Sequence, residues 1–145
     1  MANYILYTDG GARGNPGIAG AGIVIKDGAG TVLHEASKPL GEATNNEAEY
    51  QAVIFGLETL KDFVGEEKVR GATINLHLDS ELIARQITKK YKIKEDRLRR
   101  LCEMIWALRD DLSLNLEVTE VRREQNQDAD RLANEAMDLG LRGIV

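Results

Sequence analysis

Four acids in this chain stand where a carboxylate has no ordinary reason to be: Asp9, Glu49, Asp79 and Asp130. Asp9 ends the strand-forming part of "ILYTDGGARGNPG" (5–17), and Asp79 ends the alternating apolar run in "ATINLHLDS" (72–80). Glu49 falls on the same helical face as Val53, Gly56, Leu57 and Leu60, so it points at a core, whereas Glu47 matches a capping box with Thr44. Asp130 shares its face with Ala133 and Met137, while Asp128 lies with Arg131 and Glu135. Singly, each has a structural explanation: an Asx-type turn for Asp9, an N-cap for Asp79, and the helix dipole for Glu49 and Asp130. Jointly, two strand ends and two helix starts deliver carboxylates to one sheet edge. Like charges about 4 Å apart repel by about 4 kcal/mol at an effective dielectric near 20. No lysine or arginine of these segments is expected to compensate them. A hard divalent cation would, because such ions take oxygen ligands and Mg²⁺ is commonly held by a few carboxylates plus substrate phosphate. All four acids are therefore candidate metal ligands.

Weaker signals surround them. Gly10 and Gly11 begin a glycine-rich stretch that is no P-loop, since no Gly-Lys-Ser/Thr follows, but that lets a backbone approach a large ligand. Asn15, Asn45 and Asn46 carry both a donor and an acceptor and could read groove edges and 2′-hydroxyls; turn and cap chemistry accounts for them equally well. His77 alternates in phase with Asp79 and is expected to be a packed or exposed strand histidine rather than a ligand.

The elements that must hold these residues follow from periodicity. Strands are expected at 3–9, 19–27 and 31–40, with "DGAG" (27–30) as a hairpin turn. A helix at 45–63 precedes a strand at 72–80. Helices at 80–90 and 95–112, a strand at 114–121 and a helix at 126–140, stopped by Gly140, complete the chain. The order βββαβααβα implies an α/β fold: one mixed five-stranded sheet with helices on both faces, and a ligand site at the carboxyl ends of its strands.

Composition narrows the class. The 145 residues suit a single domain, 1–145, with 43% hydrophobic and 30% charged residues. No apolar stretch approaches the roughly 20 residues of a membrane helix. One cysteine, Cys102, allows no internal disulfide and suits a reducing cytoplasm; two isolated histidines, His34 and His77, argue against a zinc site. Net charge is −5, yet "KKYKIKEDRLRR" (89–100) holds seven Lys/Arg and two acids, so a basic strip of +5 sits on an acidic body.

The segments "YTDGGARGNPG", "TNNEAEYQA", "LDSELIARQI" and "NQDADRLAN" resemble, in order and spacing, the type 1 ribonuclease H family, over about Tyr4 to Asn134. The resemblance implies an endonuclease that cuts the RNA strand of an RNA–DNA hybrid by a two-metal mechanism and leaves 5′-phosphate and 3′-hydroxyl ends. It implies two Mg²⁺ ions, with Mn²⁺ as a substitute. Asp9 would bridge both, Glu49 and Asp79 would complete one site and Asp130 the other. Gly10, Gly11, Asn15, Asn45 and Asn46 align with the family's hybrid-contacting positions.

Three departures stand out. The loop before Asp130, "VRREQNQDAD", is short and lacks the histidine of many members, so Arg123 and Glu124 are the auxiliary candidates there. The basic strip is too short for the family's basic protrusion. Glu81 stands where some members have glutamine. The whole looks most like the compact, protrusion-less, reverse transcriptase-like branch, expected to be a cytoplasmic monomer with no membrane contact. A non-catalytic nucleic-acid-binding relative is the alternative; an exonuclease of the wider superfamily would usually carry Asp-x-Glu in the first strand, where this chain has Asp9-Gly10-Gly11.

Overall fold

The structure is a computed structural model, and it describes residues 3–141. Strands β1 (Asn3–Gly14), β2 (Gly17–Asp27) and β3 (Val32–Ala43) form a meander. They are followed by helix α1 (Asn45–Val64), a single-turn α2 (Glu66–Val69), β4 (Thr73–Leu78), α3 (Glu81–Ile87), α4 (Asp96–Asp111), β5 (Asn115–Glu120), a 3₁₀ turn (Arg123–Gln125) and α5 (Gln127–Leu141). The sheet order is β3-β2-β1-β4-β5, antiparallel across the meander and parallel from β1 to β5. The expected mixed five-stranded α/β sheet is thus present.

Two features of the sequence reading need correction. The glycine-rich stretch is not a loop: β1 continues through Gly10, Gly11 and Ala12, and pairs residue by residue with Gly22 back to Gly17. Asp9 therefore lies inside a strand, which excludes the Asx turn. It does sit where β1 outruns its parallel neighbour, since pairing with β4 ends at Tyr7↔His77. Glycine misleads because it weakens a strand by itself, yet it is the residue that permits another backbone to come close. A Cβ built at Gly10 would lie 2.1 Å from the carbonyl oxygen of Ala48, and one at Gly22 would lie 2.2 Å from that of Ala129. The glycines let α1 and α5 descend onto opposite faces of the sheet. Second, Gly140 lies within α5 rather than stopping it; the rest of the tail, 142–145, lies outside the described residues. The short α2 had no sequence signal of its own.

The larger core lies between the sheet and α1, α3 and α4. Leu6, Ile23, Ile25, Ile74 and Leu76 of the strands pack with Val53, Leu57 and Leu60 of α1 and with Ile83 and Ile105. The α1 residues are those of the apolar stripe that contains Glu49, so the core that buries the stripe also aims the acid. On the other face, α5 lays Ala129, Ala133 and Ala136 against the β2 glycines.

Candidate active site

Each acid reaches the sheet edge by a local device. Thr44 caps α1: its hydroxyl accepts from the Glu47 amide (3.1 Å), and the Glu47 carboxylate accepts from the Thr44 amide (2.9 Å). That occupies Glu47 and leaves Glu49 to turn inward, where Oε1 accepts from the Gly10 amide at 2.8 Å. A bond across 39 residues is not first-turn dipole chemistry. Ser80, not Asp79, caps α3, accepting from the Ile83 amide at 3.2 Å. Asp79 is thereby relieved of the duty that would have explained it. Asp9 and Asp79 each lie two residues beyond Tyr7↔His77, the last β1/β4 pair, and Asp9 is buried at 8% exposure. Asp130 stands in the first turn of α5, half-buried.

Asp9, Glu49 and Asp79 each offer a carboxylate oxygen within 4.8 Å of the other two. Asp130 is outside that tight trio but lines the same cleft of about 450 Å³, and its charge bears on Asp9. Crowding shows in the acidities. Asp9 is raised from 3.8 to about 8, first by burial and then by the charges of Asp79 and Asp130. Glu49 is raised well above its ordinary value, mainly by burial and then by Asp9, against the Gly10 amide, which lowers it. Asp79 is raised by burial, opposed by the charge of Arg123.

The expectation of no compensating cation is only partly met. Arg123, from the 3₁₀ turn, lines the cleft and lowers all three of these pKa values; Arg13, inside the first motif, lines it as well. Arg13 is engaged by Asp138 and by Asn134 (3.3 Å to Oδ1), and Asn134 in turn donates to the Asp130 carbonyl at 2.9 Å. Glu124 lies elsewhere, in a separate hollow with Tyr7 and Lys26.

The asparagines do structural work with their oxygens. Asn45 Oδ1 accepts from the Ala12 amide (2.9 Å) and Asn15 Oδ1 from the Asn45 amide (3.0 Å), which fixes the β1–β2 tip against α1. Their Nδ2 groups take part in neither bond. Asn46 lines both the acidic cleft and a neighbouring hollow bordered by Lys90, Lys92 and Lys94. Gly11 also lines the cleft. His77 is a packed strand residue, edge-on to Tyr7, with its pKa lowered by burial and then by Lys26. Sequence reading missed Arg13, Asn134 and the buried Asn126; the only signal for the last was a polar residue preceding a helix that begins with acids.

An all-oxygen set of three crowded carboxylates, two with strongly raised pKa values, is the donor chemistry of a hard divalent cation. The sequence matches the family described as reverse transcriptase-like over residues 7–136. This chain belongs to that branch of the type 1 ribonuclease H family. It is 40% identical over 136 residues to the ribonuclease HI of Halobacterium salinarum, covering 91% of this chain and 63% of the relative. It is also 40% identical to a bifunctional protein of Mycobacterium tuberculosis, covering 92% of this chain and 35% of that protein. The chain thus spans under two thirds of the length of these relatives. Among solved structures, LC11 ribonuclease H1 in complex with an RNA/DNA hybrid superposes with a TM-score of 0.90 at 46% identity, over 95% of this chain and 99% of that one. Members of this family carry the mixed five-stranded sheet seen here.

Proposed function

We propose that this chain is a divalent-metal-dependent endonuclease that hydrolyses the RNA strand of an RNA–DNA hybrid, leaving 5′-phosphate and 3′-hydroxyl ends. One observation carries the reading: three carboxylates with neither a cap nor an ion pair to explain them converge within 4.8 Å and line one cleft. The match to ribonuclease H relatives along nearly the whole chain supports it.

In this reading Asp9, Glu49 and Asp79 hold one Mg²⁺ and Asp9 with Asp130 a second, with Mn²⁺ as substitute. When bound, the ions supply Lewis-acid activation of water and stabilise charge on the departing 3′ oxygen. The protein's own part is positioning. The Gly10 amide fixes Glu49 by one oxygen and leaves the other for a ligand. The Nδ2 groups of Asn15 and Asn45, with Asn46 beside them, present donors to the hybrid's minor groove, and Gly11 in the cleft wall lets the hybrid come close. Arg123 offers a fixed positive charge to the phosphate. Residues 1–145 act as one domain, a monomer in the cytoplasm; a reduced, buried Cys102 agrees with that setting, and among the described residues no helix is long and apolar enough to cross a membrane.

The test is incubation with a strand-labelled hybrid with Mg²⁺, with Mn²⁺ and with EDTA. RNA cut internally, DNA intact and no product in EDTA are expected. Full activity in EDTA, or tight hybrid binding with no cleavage in either metal, contradicts the assignment; the second result identifies a binding relative instead.

A further inference from the structure

Asn126 sits at the junction of the 3₁₀ turn and α5 and is 1% exposed. Its Nδ2 donates to the carbonyl of Thr8 at 2.9 Å, across 118 residues, and that peptide leads directly into Asp9. Its own backbone carbonyl accepts the amide of Asp130 at 3.0 Å. Its carboxamide also bears on Asp79 and makes that carboxyl more acidic than burial alone would leave it. One residue thus hydrogen-bonds to the peptide that enters Asp9 and to the amide of Asp130, and its carboxamide acts on the charge of Asp79, three positions far apart in the chain.

This arrangement has a cost. Asn126 Oδ1 is buried with no hydrogen-bond partner, and stranding a buried acceptor costs about 1–3 kcal/mol. Reversing the amide would not relieve it, because the oxygen would then face the Thr8 carbonyl, itself an acceptor. The orientation is fixed by what the Nδ2 hydrogens serve, and the unsatisfied oxygen is tolerated for that service. An apolar side chain of similar volume would remove the stranded oxygen but would leave the buried Thr8 carbonyl without its donor, so the carboxamide is kept for the contact that leads into Asp9.

We propose that Asn126 is a positioning residue that sets the spacing of Asp9, Asp79 and Asp130, and through it the affinity of the site for the divalent ion. This rests on the metal-dependent reading above. Outer partners of metal-ligating groups act in this way, and their loss costs about 10–100-fold in metal affinity.

The experiment is calorimetric titration of Mg²⁺ alone into the parent, Asn126→Ala and Asn126→Leu. Far-UV circular dichroism and Tm without metal establish the folded state of each, and hybrid cleavage is measured across Mg²⁺ concentrations. Both variants are expected to fold and to bind Mg²⁺ about 10–100-fold more weakly. Their rates should recover as Mg²⁺ is raised, with KM for the hybrid within about twofold of the parent, since Asn126 does not line the cleft. A purely structural role would lower Tm without shifting the Mg²⁺ dependence. Parent-like Mg²⁺ affinity in either folded variant overturns the proposal. So does failure of both to fold, which would make Asn126 a folding residue. If the parent itself binds no Mg²⁺, the metal reading of the whole site fails, and the titration of the parent distinguishes that result from the others.

Discussion

Asp9 and Asp79 each stand two residues beyond Tyr7↔His77, the last pair of the parallel β1/β4 ladder. β1 runs through Asp9 and β4 ends one residue before Asp79, so the paired strands rigidly carry both carboxylates to one edge of the sheet. That rigidity is what a metal site needs and what unpaired charges resist. Asp9→Asn, Glu49→Gln and Asp79→Asn should each abolish hybrid cleavage, and each should leave the metal-free protein at least as stable as the parent, because a repelled charge is removed and the shape kept. Rates and Tm in EDTA, measured on the same preparations, check this; cleavage by Asp9→Asn at the parent rate would falsify its role.

The same crowding predicts how stability depends on pH. Asp9 is raised from 3.8 to about 8 in the folded protein, foremost by burial, so between those values the folded state holds a proton that the unfolded chain has lost. Stability is then full below about pH 4 and falls as pH rises toward 8, on the order of a few kcal/mol, with Glu49 shifted in the same direction. Mg²⁺ taken up by the folded, deprotonated site alone would offset the loss. Tm followed from pH 4 to 9 should decline in EDTA and flatten in Mg²⁺. Superimposable curves would mean that no ion is taken up by these acids.

Gly10 and Gly11 are neighbours with different tolerances. A Cβ at Gly10 meets the Ala48 carbonyl at 2.1 Å, and backbone cannot yield as a side chain can; at Gly11 it meets only the Met137 methyl at 3.4 Å. Gly10→Ala should cost about 1–3 kcal/mol or more and displace Glu49 from its amide partner, lowering activity with stability. Gly11→Ala should fold like the parent. Denaturant unfolding of the pair decides it, and equal midpoints would contradict the close approach of α1.

The outline of the sheet, the five strands and the helices α1, α3, α4 and α5 were legible in the sequence, because alternation in β4 and the 3.6-residue stripe of α1 are strong periodic signals. The convergence of Asp9, Glu49 and Asp79 was legible too, as acids on apolar faces with no partner in view. What was not legible depends on contacts between distant segments. The glycines of β1 read as a loop because their reason for being glycine lies in α1 and α5. Arg13 read as a surface charge, and Arg123 could not be told from Glu124, because only the fold brings a strand tip and a 3₁₀ turn to one cleft. Asn126 was passed over because its partners are 118 residues away or on another strand.

The basic strip resolves into parts. Arg97 pairs with Glu47, Arg99 with Asp96, and Lys89 lies over the Trp106 ring. Lys90, Lys92 and Lys94 line the hollow that meets the acidic cleft at Asn46. Neutralising these three should weaken hybrid binding and flatten the slope of log K against log salt by about 2 to 3, while Lys89→Gln changes it little. Binding titrations at several salt concentrations measure this. An unchanged slope would make the strip a solvated face.

The loop without histidine offers two auxiliary candidates, and geometry separates them. Arg123 lines the acidic cleft and lowers the pKa of Asp9, Glu49 and Asp79. Glu124 lies in another hollow beside Lys26 and Tyr7, and its carboxylate is 3.9 Å from Arg122. A proton carrier must reach the reacting atoms, and Glu124 does not share their cleft. Arg123 is exposed, so solvent screens its charge and its effect is modest. Arg123→Ala should lower turnover by about three- to tenfold, which is about 1 kcal/mol of lost stabilisation, and Arg123→Lys should restore part of it, because a positive charge rather than a proton is what it supplies. Glu124→Gln should match the parent in rate and in pH–rate profile. Steady-state kinetics across pH at saturating Mg²⁺ decide between them. An altered pH profile for Glu124→Gln with a parent-like Arg123→Ala would reverse the assignment, and parental rates for both would leave the four acids and the metal to do the chemistry without help from this loop.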